Sequence, residues 1–227
     1  MRIGIVGTGN MGRSLGALWA ERGHDVLFGA REVGKAMAAA ELAGCGARAG
    51  GNDDAAAFGD VLLWGVRDVP AAEVLSDLCV LDGKVVLDPN NRPTPTDFTM
   101  GPRDGVSHAE RLQRQLPHAR VVKAFNTMAQ EVFELSPEPL RAHEVSVFLA
   151  GDDADAKRVA ADLAREIGFV PLDLGALAAA RLAEGIADFI RYVMGTGHQG
   201  PTATVSVTVL PLPEGQRLGG RQPSSLQ

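Results

Sequence analysis

The hexapeptide GTGNMG at residues 7–12 follows an apolar run, IGIV, and opens a segment with helical spacing. Glycines at this spacing suit the turn from a strand into a helix that carries a phosphate. Gly7 permits the tight turn, Gly9 lets the backbone approach a pyrophosphate, and Gly12 lets the helix pack close to the strand. The first N–H groups of the helix then face the anion with the positive end of the dipole. Thr8, Asn10 and Met11 are further candidate contacts. The pattern points to dinucleotide binding, with a glycine-rich turn that binds nothing as the plain alternative.

A second group of residues bears on which dinucleotide. The next apolar run, DVLFG at 25–29, leads into AREVGK, so Arg31 stands at the corner where an acidic residue would accept the ribose hydroxyls of NAD. The guanidinium offers a planar fork of donors to a 2′-phosphate, and Lys35 adds a positive charge one helical turn on. Glu32, the next residue, is expected to point elsewhere. NADP(H) is the coenzyme this corner favours; the other reading is a solvated arginine and an enzyme that takes either coenzyme.

Groups for acid–base or nucleophilic chemistry are sparse. His108, Tyr192 and His198 are the nameable proton donors, and nothing in sequence pairs any of them with an orienting residue. Asp88 and Asn90 either touch substrate or shape a turn. Arg111 and Arg114, with His118 beyond them, form a polar face that would suit an anionic tail or simply solvent. Trp19 and Trp64 read as core, with Trp64 close enough to Gly65 to contact a ligand. Cys45 and Cys79 form no metal-ligand spacing and no CxxC, so no metal site is expected and a reduced setting fits.

The elements that must position these residues alternate. Strands are expected at 3–7, 25–29, 61–66, 84–88, 120–125 and 145–151, with helices at 11–22, 33–43, 69–80, 107–116 and 153–167. The strands carry Val, Ile and Leu almost without interruption, as strands covered on both faces do. The fold class is therefore α/β, a Rossmann-type doubly wound parallel sheet over residues 1–170. A small C-terminal helical and strand unit follows over 171–213, and a Gly/Pro/Ser-rich tail over 214–227 reads as disordered. In the C-terminal unit, Leu182, Ile186, Phe189, Ile190 and Val193 fall at helical spacing, and ATVSVTVL at 203–210 alternates like a strand. That helix would either cover the active site or build a homodimer.

Composition excludes several classes. A net charge of −6 and a pI near 5.4 argue against general binding of nucleic acid or an anionic membrane. No apolar run reaches the ~18 residues that a membrane helix needs. A cytoplasmic protein with small-molecule partners is the expectation.

Taken in order, GTGNMG, FGAR with Lys35, VVKAFNT (121–127), VFLAGDDADAK (147–157) and ARLAEG (180–185) resemble a known family. It is that of the NADPH-dependent reductases of the deazaflavin coenzyme F420, also called F420-dependent NADP oxidoreductases. The likeness covers most of residues 1–195; a related fold serves as the reductase domain of the six-transmembrane metalloreductases. It implies hydride transfer between NADP(H) and F420, with Gly7, Thr8, Gly9, Asn10, Met11 and Gly12 on the pyrophosphate and Arg31 and Lys35 on the 2′-phosphate. Gly65, Val66, Ala124, Phe125 and Asn126 are implied to lie along the coenzyme near its nicotinamide. Ala30 stands where relatives often carry a hydroxyl, and the 88–106 stretch is longer than theirs. Two further readings remain: an NADPH-dependent reductase of a small carbonyl, imine or unsaturated metabolite, and an NADPH-binding sensor without turnover.

Overall fold

The computed structural model of the chain describes residues 1–93 and 105–210. The tail at 214–227 and most of the 88–106 stretch lie outside the described residues.

The uninterrupted apolar runs become strands, and two strands that the runs do not announce join them. In chain order they are β1 (Arg2–Val6), β2 (Asp25–Gly29), β3 (Arg48–Gly50), β4 (Val61–Trp64), β5 (Val85–Asp88), β6 (Arg120–Lys123), β7 (Ser146–Gly151) and β8 (Val170–Asp173). They form one sheet in the order β3-β2-β1-β4-β5-β6-β7-β8. All neighbours are parallel except β6 and β7, which run antiparallel over just two residue pairs, Val122–Gly151 and Lys123–Ala150. The sheet is therefore mostly, and not wholly, parallel. β3 was hidden because Arg48, Ala49 and Gly50 carry no apolar pattern, and β8 because Pro171 interrupts it. β8 pairs with β7, so the sheet runs past the boundary expected at residue 170 and takes in Val170–Asp173.

Among the described residues the α-helices are α1 (Asn10–Glu21), α2 (Val33–Ala43), α3 (Asn52–Phe58), α4 (Ala71–Val74), α5 (His108–Gln115), α6 (Pro137–Ala142), α7 (Ala154–Glu166) and α8 (Ala180–Met194). Alternation along β1 divides the core in two. Ile3 and Ile5 join Leu15 and Trp19 of α1, Phe28 and Leu163 of α7, whereas Val6 joins Ala55 of α3, Trp64, Ala71 and Leu112 of α5. Trp19 and Trp64 are both fully buried, as expected of core residues.

Three segments depart from expectation. The helix expected at 69–80 breaks into α4 and a 3-10 turn at Leu78–Leu81, because Asp53 accepts from Ser76 N at 2.8 Å and Asp77 accepts from Cys79 N at 2.9 Å. Such side-chain acceptors offer the backbone an alternative to the helical ladder. Residues 203–210 form no strand; their link to the sheet runs through Ser146, whose N–H donates to Val205 O and whose hydroxyl accepts from Val207 N, both at 3.2 Å. In α8 the buried stripe is Ala180, Ala183, Glu184, Ala187 and Ile190, while Leu182 and Phe189 are exposed. Ile190 is buried as expected, but most of the stripe is alanine, which lets the helix pack close to the rest of the fold.

α5 and α8 are tied together by Glu110. Its carboxylate accepts from Ser107 N at 2.7 Å, closing a capping box with the Ser107 hydroxyl, and takes a bidentate pair from Arg181 of α8 at 2.9 and 2.7 Å. The Arg181 guanidinium and the Ser107 N–H hold the Glu110 carboxyl down to about 2, against a burial effect that pushes it up. A depressed carboxyl contributes stability above its ordinary value, and that contribution is lost as pH falls through the folded value. Glu110→Gln is therefore expected to lower the unfolding midpoint at pH 6 and to have progressively less effect between about pH 4.5 and 2, read by urea titrations across that range. A deficit independent of pH would show that the charge contributes nothing.

Candidate active site

Strand order reverses between β1 and β4, and the glycine loop sits at that switch point, beyond the carboxyl ends of the strands. Gly7 has φ +93°, and a Cβ there would come within 2.9 Å of Val66 Cγ2. A Cβ on Gly12 would sit 2.2 Å from Gly7 O, so the start of α1 can lie this close to β1 only with glycine. Gly9 differs, because a Cβ there would meet nothing within 4 Å. No contact among the described residues calls for its smallness, and its backbone is open to the space beyond the loop. The first turn of α1 has neither a side-chain cap nor an acidic residue, which leaves its N–H groups for an anion.

On one side of this loop lies a cavity of about 580 Å³, lined by Gly7, Thr8 and Gly9, by Ala30, Arg31 and Lys35, and by Asn52, Val66 and Val74 on the facing wall. It brings the loop and the expected 2′-phosphate corner together. Arg31 is exposed and makes no hydrogen bond or ion pair among the described residues. Lys35 is different: Glu32, expected to point elsewhere, lines the same cavity and pairs with Lys35 Nζ at 2.8 Å. Asn52, which the sequence reading missed, has a buried Oδ1 without a partner in this wall.

On the other side is a second cavity, of about 430 Å³, reached through Asn10 and Met11. Its wall comes from Asn90 and Asn91 after β5, Phe125 to Gln130 after β6, Arg67, and Ala187, Ile190, Arg191 and Met194 of α8. Phe125 is buried with φ +59°, a conformation that costs a bulky residue ~1–2 kcal/mol. It is held by edge contacts with Trp19 and Phe133, centroids at 5.7 and 6.4 Å. The left-handed turn ends β6 and carries Asn126 into the cavity wall. Ala124 is fully buried and does not line it, and Gly65 packs against Gly7.

The candidate proton donors do not converge here. Among the described residues lining the second cavity there is no His, Tyr, Lys or Cys; its titratable carboxyl is Glu131, and Thr127 adds a hydroxyl. His108 lines a separate cleft with Trp64, Arg111 and Gln115, while Tyr192 and His198 lie on the exposed end of α8 and beyond it.

Beneath the second cavity is a buried charge cluster that only two anomalies in the sequence announce: a lysine inside the strand RVVK and a glutamate among the alanines of α8. Lys123 Nζ reaches Asp88 Oδ2 at 2.6 Å and Glu184 Oε1 at 3.1 Å, and also donates to Asn90 O. Glu184 accepts further from Arg92 Nε at 2.7 Å and His108 N at 2.7 Å, and His108 Nδ1 lies 3.1 Å from Asp88. Lys123, Asp88 and Glu184 are all at most 1% exposed. Burial pushes the Asp88 carboxyl up, yet the Lys123 ammonium and the His108 ring beside it hold it well below the usual carboxylate range. Lys123→Met would leave two carboxylates without their shared cation, and about 3–5 kcal/mol of unfolding free energy should be lost. Equilibrium urea unfolding reads this directly; a loss under ~1 kcal/mol would mean the pair is already solvated.

Comparison with known proteins agrees with this geometry. Residues 2–92 match the family model described as NADP oxidoreductase, coenzyme F420-dependent. An F420-dependent NADP reductase from Methanocaldococcus jannaschii is 32% identical over 213 residues, which span 84% of this chain and 91% of that protein. The rat metalloreductase STEAP3 is 31% identical over 185 residues, 82% of this chain but 36% of that protein, so the chain spans about a third of its length. A solved structure from Arthrobacter sp. FB24, a candidate F420-dependent NADP reductase, superposes with a TM-score of 0.75 at 26% identity, covering 91% of this chain and 99% of that one. No helix among the described residues is long and apolar enough to cross a membrane. The chain belongs to the F420-dependent NADP oxidoreductase family and is an NADP-dependent oxidoreductase with a Rossmann-like fold.

Proposed function

We propose that this protein moves a hydride between NADP(H) and the deazaflavin coenzyme F420. The observation that carries the reading is the apolar surface that Met11, Phe125, Met128, Ile190 and Met194 offer a flat ring in the second cavity, with side-chain amides, Thr127, Glu131, Arg67 and Arg191 around it. Reduction of a carbonyl or imine calls for a proton donor beside the reacting atom, for which Glu131 is the carboxyl in this lining. A deazaflavin takes a hydride at a ring carbon and a proton from water at a ring nitrogen, giving NADP⁺ and the reduced deazaflavin. The coenzyme supplies the hydride, and the protein supplies orientation and a dry site.

The residues divide this work. Gly7, Thr8, Gly9, Asn10, Met11 and Gly12 hold the pyrophosphate against the start of α1, and Arg31 takes the 2′-phosphate with Lys35 as a second cation. Val66 and the turn Phe125–Asn126 flank the nicotinamide, with Gly65 and Ala124 shaping the backbone behind them. Met11, Met128, Ile190 and Met194 form the apolar walls between which two rings can stack at about 3–3.5 Å. Arg67 and Arg191 on the same wall suit an anionic acceptor tail better than Arg111, which lines the separate His108 cleft. Residues 1–170 thus carry the coenzyme, and the C-terminal unit closes the acceptor side.

Purified protein mixed with NADPH and oxidised F420 should bleach the deazaflavin's visible absorbance, and NADH at the same concentration should do so at least about tenfold more slowly. Arg31→Ala should weaken NADPH binding about tenfold or more and leave NADH binding unchanged. NADPH binding without bleaching would overturn the deazaflavin reading and direct the search to a small-molecule acceptor or a sensing role. Equal losses for both coenzymes in the variant would remove Arg31 from the 2′-phosphate.

A further inference from the structure

The wall of the second cavity holds an acceptor that no described residue satisfies. Asn126 is 4% exposed, and its Oδ1 has no hydrogen-bond partner among the described residues. Its orientation is not free. Asn126 Nδ2 donates to Asn91 Oδ1 at 2.8 Å and to Ala183 O of α8 at 3.0 Å. Asn91 is fixed in turn, because its own Nδ2 donates to the Asn126 backbone carbonyl at 2.8 Å. Turning the Asn126 amide over would set its oxygen against two other oxygens, so the bare Oδ1 is locked in place. Gln130 Oε1, in the wall of the same cavity, is also buried and without a partner.

A buried acceptor left without a donor costs roughly 1–3 kcal/mol, so a locked one marks where an occupant is expected to donate. Resting on the NADP(H) reading of this site, we propose that Asn126 Oδ1 accepts an N–H of the nicotinamide carboxamide and thereby fixes the rotation of that ring against the acceptor. A primary carboxamide carries two N–H donors on one nitrogen, one for the locked Asn126 Oδ1 and one for Gln130, whose amide no hydrogen bond among the described residues holds in one orientation; the imide of a deazaflavin carries one. The locking partners add a consequence. Ala183 lies on α8 and Asn91 follows β5, so ring orientation is set jointly by the two segments that close the cavity.

The test compares coenzymes that differ at this one group. Binding of NADP⁺ to the wild-type protein is measured by calorimetry against its 3-acetylpyridine analogue, which keeps the carbonyl but has a methyl for the amino group. The nicotinic acid analogue, which presents a carboxylate there, is the third ligand. The expected order is NADP⁺ tightest, the acetyl analogue about tenfold weaker, and the acid weaker again because it places an anion against a carbonyl oxygen. In Asn126→Ala, NADP⁺ and the acetyl analogue should bind within about twofold of each other. The wild-type series stands by itself if the variant does not fold. Equal binding of NADP⁺ and the acetyl analogue to the wild type would overturn the assignment of Asn126 alone. The assignment is equally overturned if the variant binds NADP⁺ normally but shows a raised KM for oxidised F420, because the donor then belongs to the acceptor. No binding of NADP⁺ at all would overturn both this inference and the coenzyme reading beneath it.

Discussion

Lys123 carries an ammonium group at the centre of the fold with no exposed surface. A lone buried charge is not tolerable at folding free energies of a few kcal/mol, so its partners must be brought to it. They come from three places: Asp88 at the end of β5, the Asn90 carbonyl just after it, and Glu184 from the middle of α8. Satisfying one cation therefore sets the end of a strand, the path of the following loop and the docking of a helix far away in sequence. All three supply residues to the wall of the second cavity or to its immediate support. The active-site architecture is in this sense a solvation shell built from protein.

Strain is placed on the same foundation. Phe125 directly follows the strand that carries Lys123, and its left-handed backbone survives because Trp19 and Phe133 pack against the ring. Glycine at this position would relieve the dihedral but remove the ring that closes the aromatic column. The chain thus accepts a local cost at the turn in exchange for a rigid wall. The other turn at the site, Gly7, is relieved by glycine itself, since there the facing atoms leave no room for any side chain.

Much of this was legible in the sequence, and the exceptions have physical causes. Continuous apolar runs announced β1, β2, β4, β5, β6 and β7, because burial on both faces confines polar residues mostly to the strand ends. β3 and β8 stayed hidden because they lie at the edges of the sheet, paired on one side, where an uninterrupted apolar run is not required. The glycine turn and the place of Arg31 beside it were readable, since such a turn depends on residue type at fixed spacing. The charge cluster was not, because Asp88, Lys123 and Glu184 meet only after three segments fold together. The apolar residues of α8 misled for a related reason: periodicity reports that a helix has an apolar stripe, while the depth of docking decides which stripe is used. There the close approach favoured Ala180, Ala183 and Ala187 over Leu182 and Phe189.

The Glu32–Lys35 pair bears on how sharply a phosphate is distinguished from a hydroxyl. Lys35 already holds an anion at 2.8 Å, and both side chains are well exposed. On the proposed reading of this corner, a 2′-phosphate would not meet a waiting cation at Lys35; it would compete with a resident carboxylate that must be displaced. Exchange of one solvated ion pair for another yields little net gain and is blunted further as ionic strength rises. Discrimination would then fall mainly on the guanidinium beside it, with Glu32 as a competitor for the second cation.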